Sequence, residues 1–135
     1  MPRMNKSTRY ALYAAIELAR ANGRTVTAGE VARRYRVPVT VVSKVFQQLA
    51  RTGIARGIRG SGGGYRLSRR AAETTMLEVI DALEPARSHA GPAPPAEDAA
   101  QRLRQLLDEA DGIWRSTFRA ISLGTLVEPG PRPPV

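Results

Sequence analysis

Apolar side chains recur every three or four positions over residues 7–21, where Leu12, Ala15, Ile16 and Ala19 line one side. This period predicts a helix, capped by Ser7 and ended by Asn22-Gly23. Thr27-Ala-Gly-Glu30 has the spacing of a capping box and predicts a short second helix through Val31 and Ala32 to about Tyr35. Arg36-Val37 then reads as a tight turn, with Pro38 where a proline can start a helix. The third helix is expected to run to about Thr52 over the stripe Val42, Val45, Phe46 and Leu49, with Gly53 as its stop.

Beyond Gly53 the period changes. Ile54 to Arg59 and Tyr65 to Ser68 read as strands around the cluster Gly60-Ser-Gly-Gly-Gly64, which makes a glycine-tipped hairpin. Thr75-Met-Leu-Glu78 is a second capping box and opens a helix with Leu77, Ile80 and Leu83 inward. Residues 85–96 are rich in proline, alanine and glycine and read as a linker loop. A long amphipathic helix from about Glu97 carries Leu103, Leu106, Leu107, Ala110, Ile113, Trp114, Thr117 and Ile121 on one side, and residues 129–135 read as a disordered tail. The expected fold is mainly α with a small β-hairpin. Residues 1–84 form a winged helix-turn-helix head, 85–96 a linker, and 97–128 a dimerisation helix with a short terminal segment.

Charge sharpens this picture. The 135 residues carry 21 Lys+Arg against 12 Asp+Glu, a formal +9. Residues 1–87 hold 16 basic and 6 acidic side chains, a net +10, and residues 88–135 hold 5 and 6, a net −1. A basic excess confined to the head suits a polyanion, most often nucleic acid, and with the winged helix-turn-helix order the expected partner is double-stranded DNA. Nineteen of the basic residues are arginine, which favours forked contacts to phosphate and guanine. With no cysteine, disulfides, thiolate catalysis and thiolate-held zinc or iron–sulfur sites are excluded. The single histidine, His89, cannot build a multi-histidine metal site within one chain. The longest apolar run is too short to span a bilayer and no charged-then-apolar leader opens the chain, so a soluble, cytoplasmic protein is expected.

The second helix of a helix-turn-helix reaches base edges from its N-terminal end. Here Thr40, Ser43, Lys44 and Gln47 stand opposite the apolar stripe and can donate to phosphates or bases. Arg56 and Arg59 precede the hairpin tip and Arg66 follows it, while Ser61, Gly62 and Gly63 let backbone approach the sugar-phosphate wall. Competing motifs fail. Gly60-Ser-Gly62-Gly-Gly-Tyr65 puts tyrosine at the third glycine of a dinucleotide fingerprint and joins two strands. Asp108, Glu109 and Asp111 read as the solvated face of a helix rather than paired catalytic acids. Neither catalytic residue, metal site nor cofactor is expected, and the chain reads as a non-enzyme.

Ser7-Thr-Arg-Tyr-Ala-Leu12, the Glu30-Val-Ala helix, Leu49 through Gly53, Arg59-Gly-Ser-Gly-Gly-Gly-Tyr-Arg-Leu67 and Ala120-Ile-Ser-Leu-Gly-Thr-Leu126 resemble the Rrf2 family of winged-helix regulators, which includes IscR, NsrR and CymR. The glycine-rich wing is the most specific piece of a likeness spanning residues 5–128. It implies a homodimeric bacterial transcription regulator, usually a repressor. The resemblance implies that Thr40, Ser43 and Lys44 read bases, that Arg59 enters the minor groove, and that Arg9 and Tyr10 approach the DNA backbone. Cluster-binding members carry three cysteines before the dimerisation helix, and this chain has none. IscR-like sequences have glutamate at position 43 where this chain has serine, so a different target is expected. The chain looks closer to cysteine-free members, which respond through a partner protein or an unknown signal, so a regulatory partner protein or a small-molecule effector is the expected further partner. Leu103, Leu106, Leu107, Ala110, Trp114 and Ile121 are the expected dimer contacts, the alternative being that they cover the chain's own core. The rival functions are an effector-responsive sensor of the same fold and a winged helix serving protein or RNA contacts.

Overall fold

The computed structural model describes residues 4–84 and 98–128. The expected linker over 85–96, with His89, and the expected tail over 129–135 lie outside the described residues. Helix α1 (Lys6–Ala21) is capped by Asn5, not Ser7. Asn5 Oδ1 accepts from the Thr8 N–H at 2.8 Å and from the Thr8 hydroxyl at 2.9 Å. Ser7 therefore lies inside the first turn. The helix buries Ala11, Leu12, Ala14, Ala15, Leu18 and Ala19, and its small side chains let α3 and α4 pack close.

Helix α2 (Ala28–Tyr35) starts at Thr27, whose hydroxyl accepts from the Glu30 N–H at 3.2 Å. Among the described residues the return bond from Glu30 that would complete the box is not formed. Arg36 closes α2 in the left-handed region, at φ 55°. Pro38 stands before the first turn of α3 (Val39–Arg51) as its cap residue, one place earlier than the sequence suggests. Val42, Val45, Phe46 and Leu49 are buried as expected. A side chain–backbone bond from Gln48 Nε2 to the Ala82 carbonyl, 3.1 Å, ties α3 to α4.

Strands β1 (Ala55–Ile58) and β2 (Gly64–Leu67) pair antiparallel, with Ala55 opposite Leu67 and Arg56 opposite Arg66. Val26 adds a short edge by exchanging two 2.8 Å backbone bonds with Tyr65. Helix α4 (Met76–Leu83) carries the complete Thr75–Glu78 capping box, both bonds at 3.1 Å, and buries Leu77, Val79 and Ile80. Helix α5 (Asp98–Arg119) buries no residue completely. It ends before Ile121, so Ile121 is not part of its face as the apolar period suggested. Residues 121–127 instead turn back to the head. Backbone bonds of 2.8 Å run from the Met76 N–H to Ile121 and from the Leu123 N–H to Thr74. Helix α6 (Leu123–Val127) places Leu123, 0% exposed, in the head's core. No helix among the described residues is long and apolar enough to cross a membrane.

Candidate nucleic-acid interface

Burial of the stripe on α3 leaves its opposite side to solvent. Thr40, Lys44 and Gln47 are exposed and Ser43 is half-buried, so the four expected base-reading positions share one surface of the helix. Pro38 offers no side-chain cap, and the first-turn N–H groups of Val39 and Thr40 have no backbone acceptor among the described residues. That end of α3 therefore presents free donors and a positive dipole end.

The wing is a tight turn tied to the core. Gly60 and Gly62 adopt φ of 98° and 77°, which a side chain would strain, and the Gly63 N–H donates to the Gly60 carbonyl at 2.9 Å. Tyr65 stacks flat on Phe46 with ring centroids 4.6 Å apart, fastening β2 to α3. The Thr25 hydroxyl donates to the Gly62 carbonyl at 2.8 Å and latches the tip to the loop between α1 and α2. Sequence reasoning missed Thr25, because 37 residues separate it from its partner and no local pattern marks it. Arg59, Ser61 and Gly62 are exposed at the tip and Gly63 is half-buried.

The same surface carries unpaired positive charge. Arg56 and Arg66 face each other across the hairpin, an arrangement that like charges disfavour. Among the described residues the ion pairs are Glu17 with Arg20 and Arg34, Glu78 with Arg69, and Asp81 with Arg115. Lys44, Arg56, Arg59, Arg66 and Arg9 take part in none of them. The Arg66 Nε is buried and has no hydrogen-bond partner. Arg9 is exposed on α1, while Tyr10 is half-buried and packs against the core. Of the expected DNA contacts, Tyr10, Ser43, Gly63 and Arg66 are thus half-buried and the others exposed.

Helices α1 and α2 are held in register by Glu17. The Tyr35 hydroxyl donates to Glu17 Oε1 at 2.7 Å, and Arg34 Nε lies 3.3 Å from the same oxygen. Tyr35 also stacks on Tyr13 at 4.7 Å. Burial first, and then the bond to Glu17, push the Tyr35 hydroxyl up to about 12.

On α5, Leu103, Leu106, Leu107 and Ile113 are 57%, 61%, 48% and 70% exposed. Ala110 is exposed as well. Trp114 is half-buried, meets Phe118 edge-on at 5.4 Å and packs against the chain's own core, while Ile121 is half-buried in its place after the helix. Trp114 thus has core contacts of the kind the core-covering alternative calls for.

A family model described as "Rrf2: Iron-dependent Transcriptional regulator" matches residues 4–129. The chain is 32% identical over 127 residues to BadM of Rhodopseudomonas palustris, named as an HTH-type transcriptional regulator, covering 93% of this chain and 81% of that one. It is 31% identical over 85 residues to the HTH-type transcriptional regulator IscR of Cereibacter sphaeroides, covering 61% of this chain and 55% of that protein. It thus spans about half the length of that IscR. Among solved structures, CymR of B. subtilis, the global cysteine regulator, superposes with a TM-score of 0.82 at 23% identity, covering 94% and 97% of the two chains. Staphylococcus aureus CymR gives a TM-score of 0.75 at 25% identity, over 94% of this chain and 99% of that one. The iron of the family description finds no thiolate in this chain, which has no cysteine. Among the described residues no three His, Cys, Asp or Glu side chains converge as a metal site would require. A cluster held by cysteine thiolates does not fit this protein.

Proposed function

The chain belongs to the Rrf2 family and is a DNA-binding transcription regulator, and from that premise we propose how it grips its target. It acts in the cytoplasm as a homodimeric, sequence-specific repressor that uses no iron–sulfur cluster. In each half-site the N-terminal part of α3 enters the major groove with Thr40, Ser43, Lys44 and Gln47 toward the base edges. The wing lies along the adjacent minor groove, Arg59 leading, with Arg56, Arg66 and the backbone at Ser61, Gly62 and Gly63 against phosphate and sugar. Arg9 and Tyr10 approach the backbone from α1. Its signal is a small molecule or a partner protein.

The observation that carries this reading is the uncompensated charge of the hairpin. Arg56 stands opposite Arg66, and neither they nor Arg59 meets an acidic partner among the described residues. Such a cluster loses free energy in isolation and recovers it against a polyanion. Fluorescence anisotropy with duplexes selected from genomic fragments tests it. The wild type is expected to bind one set of sequences preferentially, with affinity falling steeply as salt rises. Arg59→Ala is expected to cost about 1–3 kcal/mol of binding while leaving the unfolding temperature in place. Equal losses of binding and stability would make Arg59 a structural residue and overturn its role.

A further inference from the structure

Val39 opens α3 with its side chain 49% exposed. The other large apolar side chains exposed to this degree among the described residues all lie on α5 or α6. On the head, Val39 stands apart. Residues four apart stack one above the other on a helix, so Val39 heads the row that continues through Ser43 and Gln47, beside Thr40 and Lys44. It sits at the end of the helix that reaches deepest toward base edges. Pro38 before it and Thr40 after it are exposed as well, so this end of the helix is open to solvent.

An isopropyl group can neither donate nor accept a hydrogen bond, and a β-branched residue is a modest helix former. Its exposure gives the free protein nothing. In the major groove, however, one base presents an apolar group, the C5-methyl of thymine. We propose that Val39 is a specificity-determining residue that packs against the C5-methyl of one thymine in the half-site, adding an apolar selection to the polar contacts of Thr40, Ser43 and Lys44. This inference rests on the placement of α3 in the major groove given above.

The test exchanges the methyl on both sides of the contact. Sequences that the full-length wild type selects from random duplexes define the motif, and each thymine of that motif is then replaced singly by deoxyuridine, which differs only by the methyl. At one thymine the replacement is expected to weaken wild-type binding about fourfold, the size of one buried methyl group. Val39→Ala is expected to weaken binding to the thymine duplex by a similar factor and to be indifferent to deoxyuridine at that place. Its thermal stability should stay level or rise, since alanine suits an exposed helical position better than valine. Val39→Ile, which keeps the methyl contact, should retain the thymine preference. If Val39→Ala shows the wild-type ratio of thymine to deoxyuridine affinity at every position, the proposal is overturned. If the motif is also unmoved by Ser43→Glu and Lys44→Ala, the groove placement of α3 falls first and the role of Val39 with it.

Discussion

A Cβ placed on Gly63 would collide with the carbonyl oxygens of Ile58 and Gly60, the latter 2.7 Å away, and backbone atoms cannot swing aside. Gly63→Ala must therefore open the wing, freeing the tip that presents Arg59. We expect DNA affinity to fall on the order of tenfold, the range of one lost minor-groove arginine. The helical core should melt near its wild-type temperature, because the strain can relax into solvent at the tip. Anisotropy and far-ultraviolet circular dichroism on the same sample separate the two effects. Tyr35 carries a pH signature. Its hydroxyl is raised from 10.0 to about 12 by burial and by Glu17. The neutral form is thus favoured in the folded state. The unfolded chain loses this proton first, so the contribution is full below about pH 10 and fades as pH rises toward 12. Tyr35→Phe should flatten the decline of urea stability between pH 10 and 12. A decline as steep as the wild type would show that the Tyr35 hydroxyl does not govern it. At this scale the sequence was only partly legible. Asn5 and Ser7 are both capping types two places apart, and the choice falls to Asn5 because Thr8, its partner, is 0% exposed. The bonds of Glu17 with Tyr35 and of Thr25 with Gly62 join residues far apart in the chain and leave no local trace.

Elements were read more successfully, because burial writes its period into the chain. The stripe Val42, Val45, Phe46 and Leu49 and the Thr75–Glu78 box stand where the pattern placed them. The first strand came out shorter than expected, Ala55–Ile58, while the second, Gly64–Leu67, keeps its expected length and is moved one residue toward the tip. Helix α5 shows what periodicity leaves open. An apolar face says nothing about whether it meets its own core or another chain. Trp114 turns to the core with Phe118, a residue the pattern passed over, while Leu103, Leu106 and Leu107 stay exposed. At the seam, Arg115 donates two parallel bonds of 2.9 Å to the carboxylate of Asp81, joining α5 to α4. The two side chains are 23% and 35% exposed, so solvent weakens the pair to about 1 kcal/mol of stability. Its larger effect concerns geometry: a forked pair fixes the angle at which α5 leaves the head. Asp81→Asn should lower the unfolding midpoint slightly and let the protein tolerate operators whose half-sites are moved by one base pair. A spacing preference as sharp as the wild type would leave the angle to Trp114 and Phe118.

Across the whole molecule, charge and apolar exposure are segregated. The head carries the basic excess and α5 carries the exposed leucines, with no buried residue of its own. A 22-residue helix held by one edge of the head, with Leu106 61% and Ile113 70% exposed, leaves an apolar surface that water disfavours. In the homodimer we propose, a second copy of the same helix covers it and gives a DNA reader two heads. Their half-sites would then lie about one helical turn apart, ~34 Å centre to centre. Because Trp114 supports its own chain, it is a poor place to break the assembly. Leu106→Glu with Leu107→Glu removes apolar contact from the exposed side and leaves the α4–α5 seam intact. We expect this double variant to be a monomer by light scattering at micromolar concentration, with the head's melting temperature unchanged. It should bind DNA weakly and with strong salt dependence, while losing its preference for the two-half-site operator. A double variant that stays dimeric would put the interface elsewhere, and a wild type that is already monomeric would end the two-headed mode of reading.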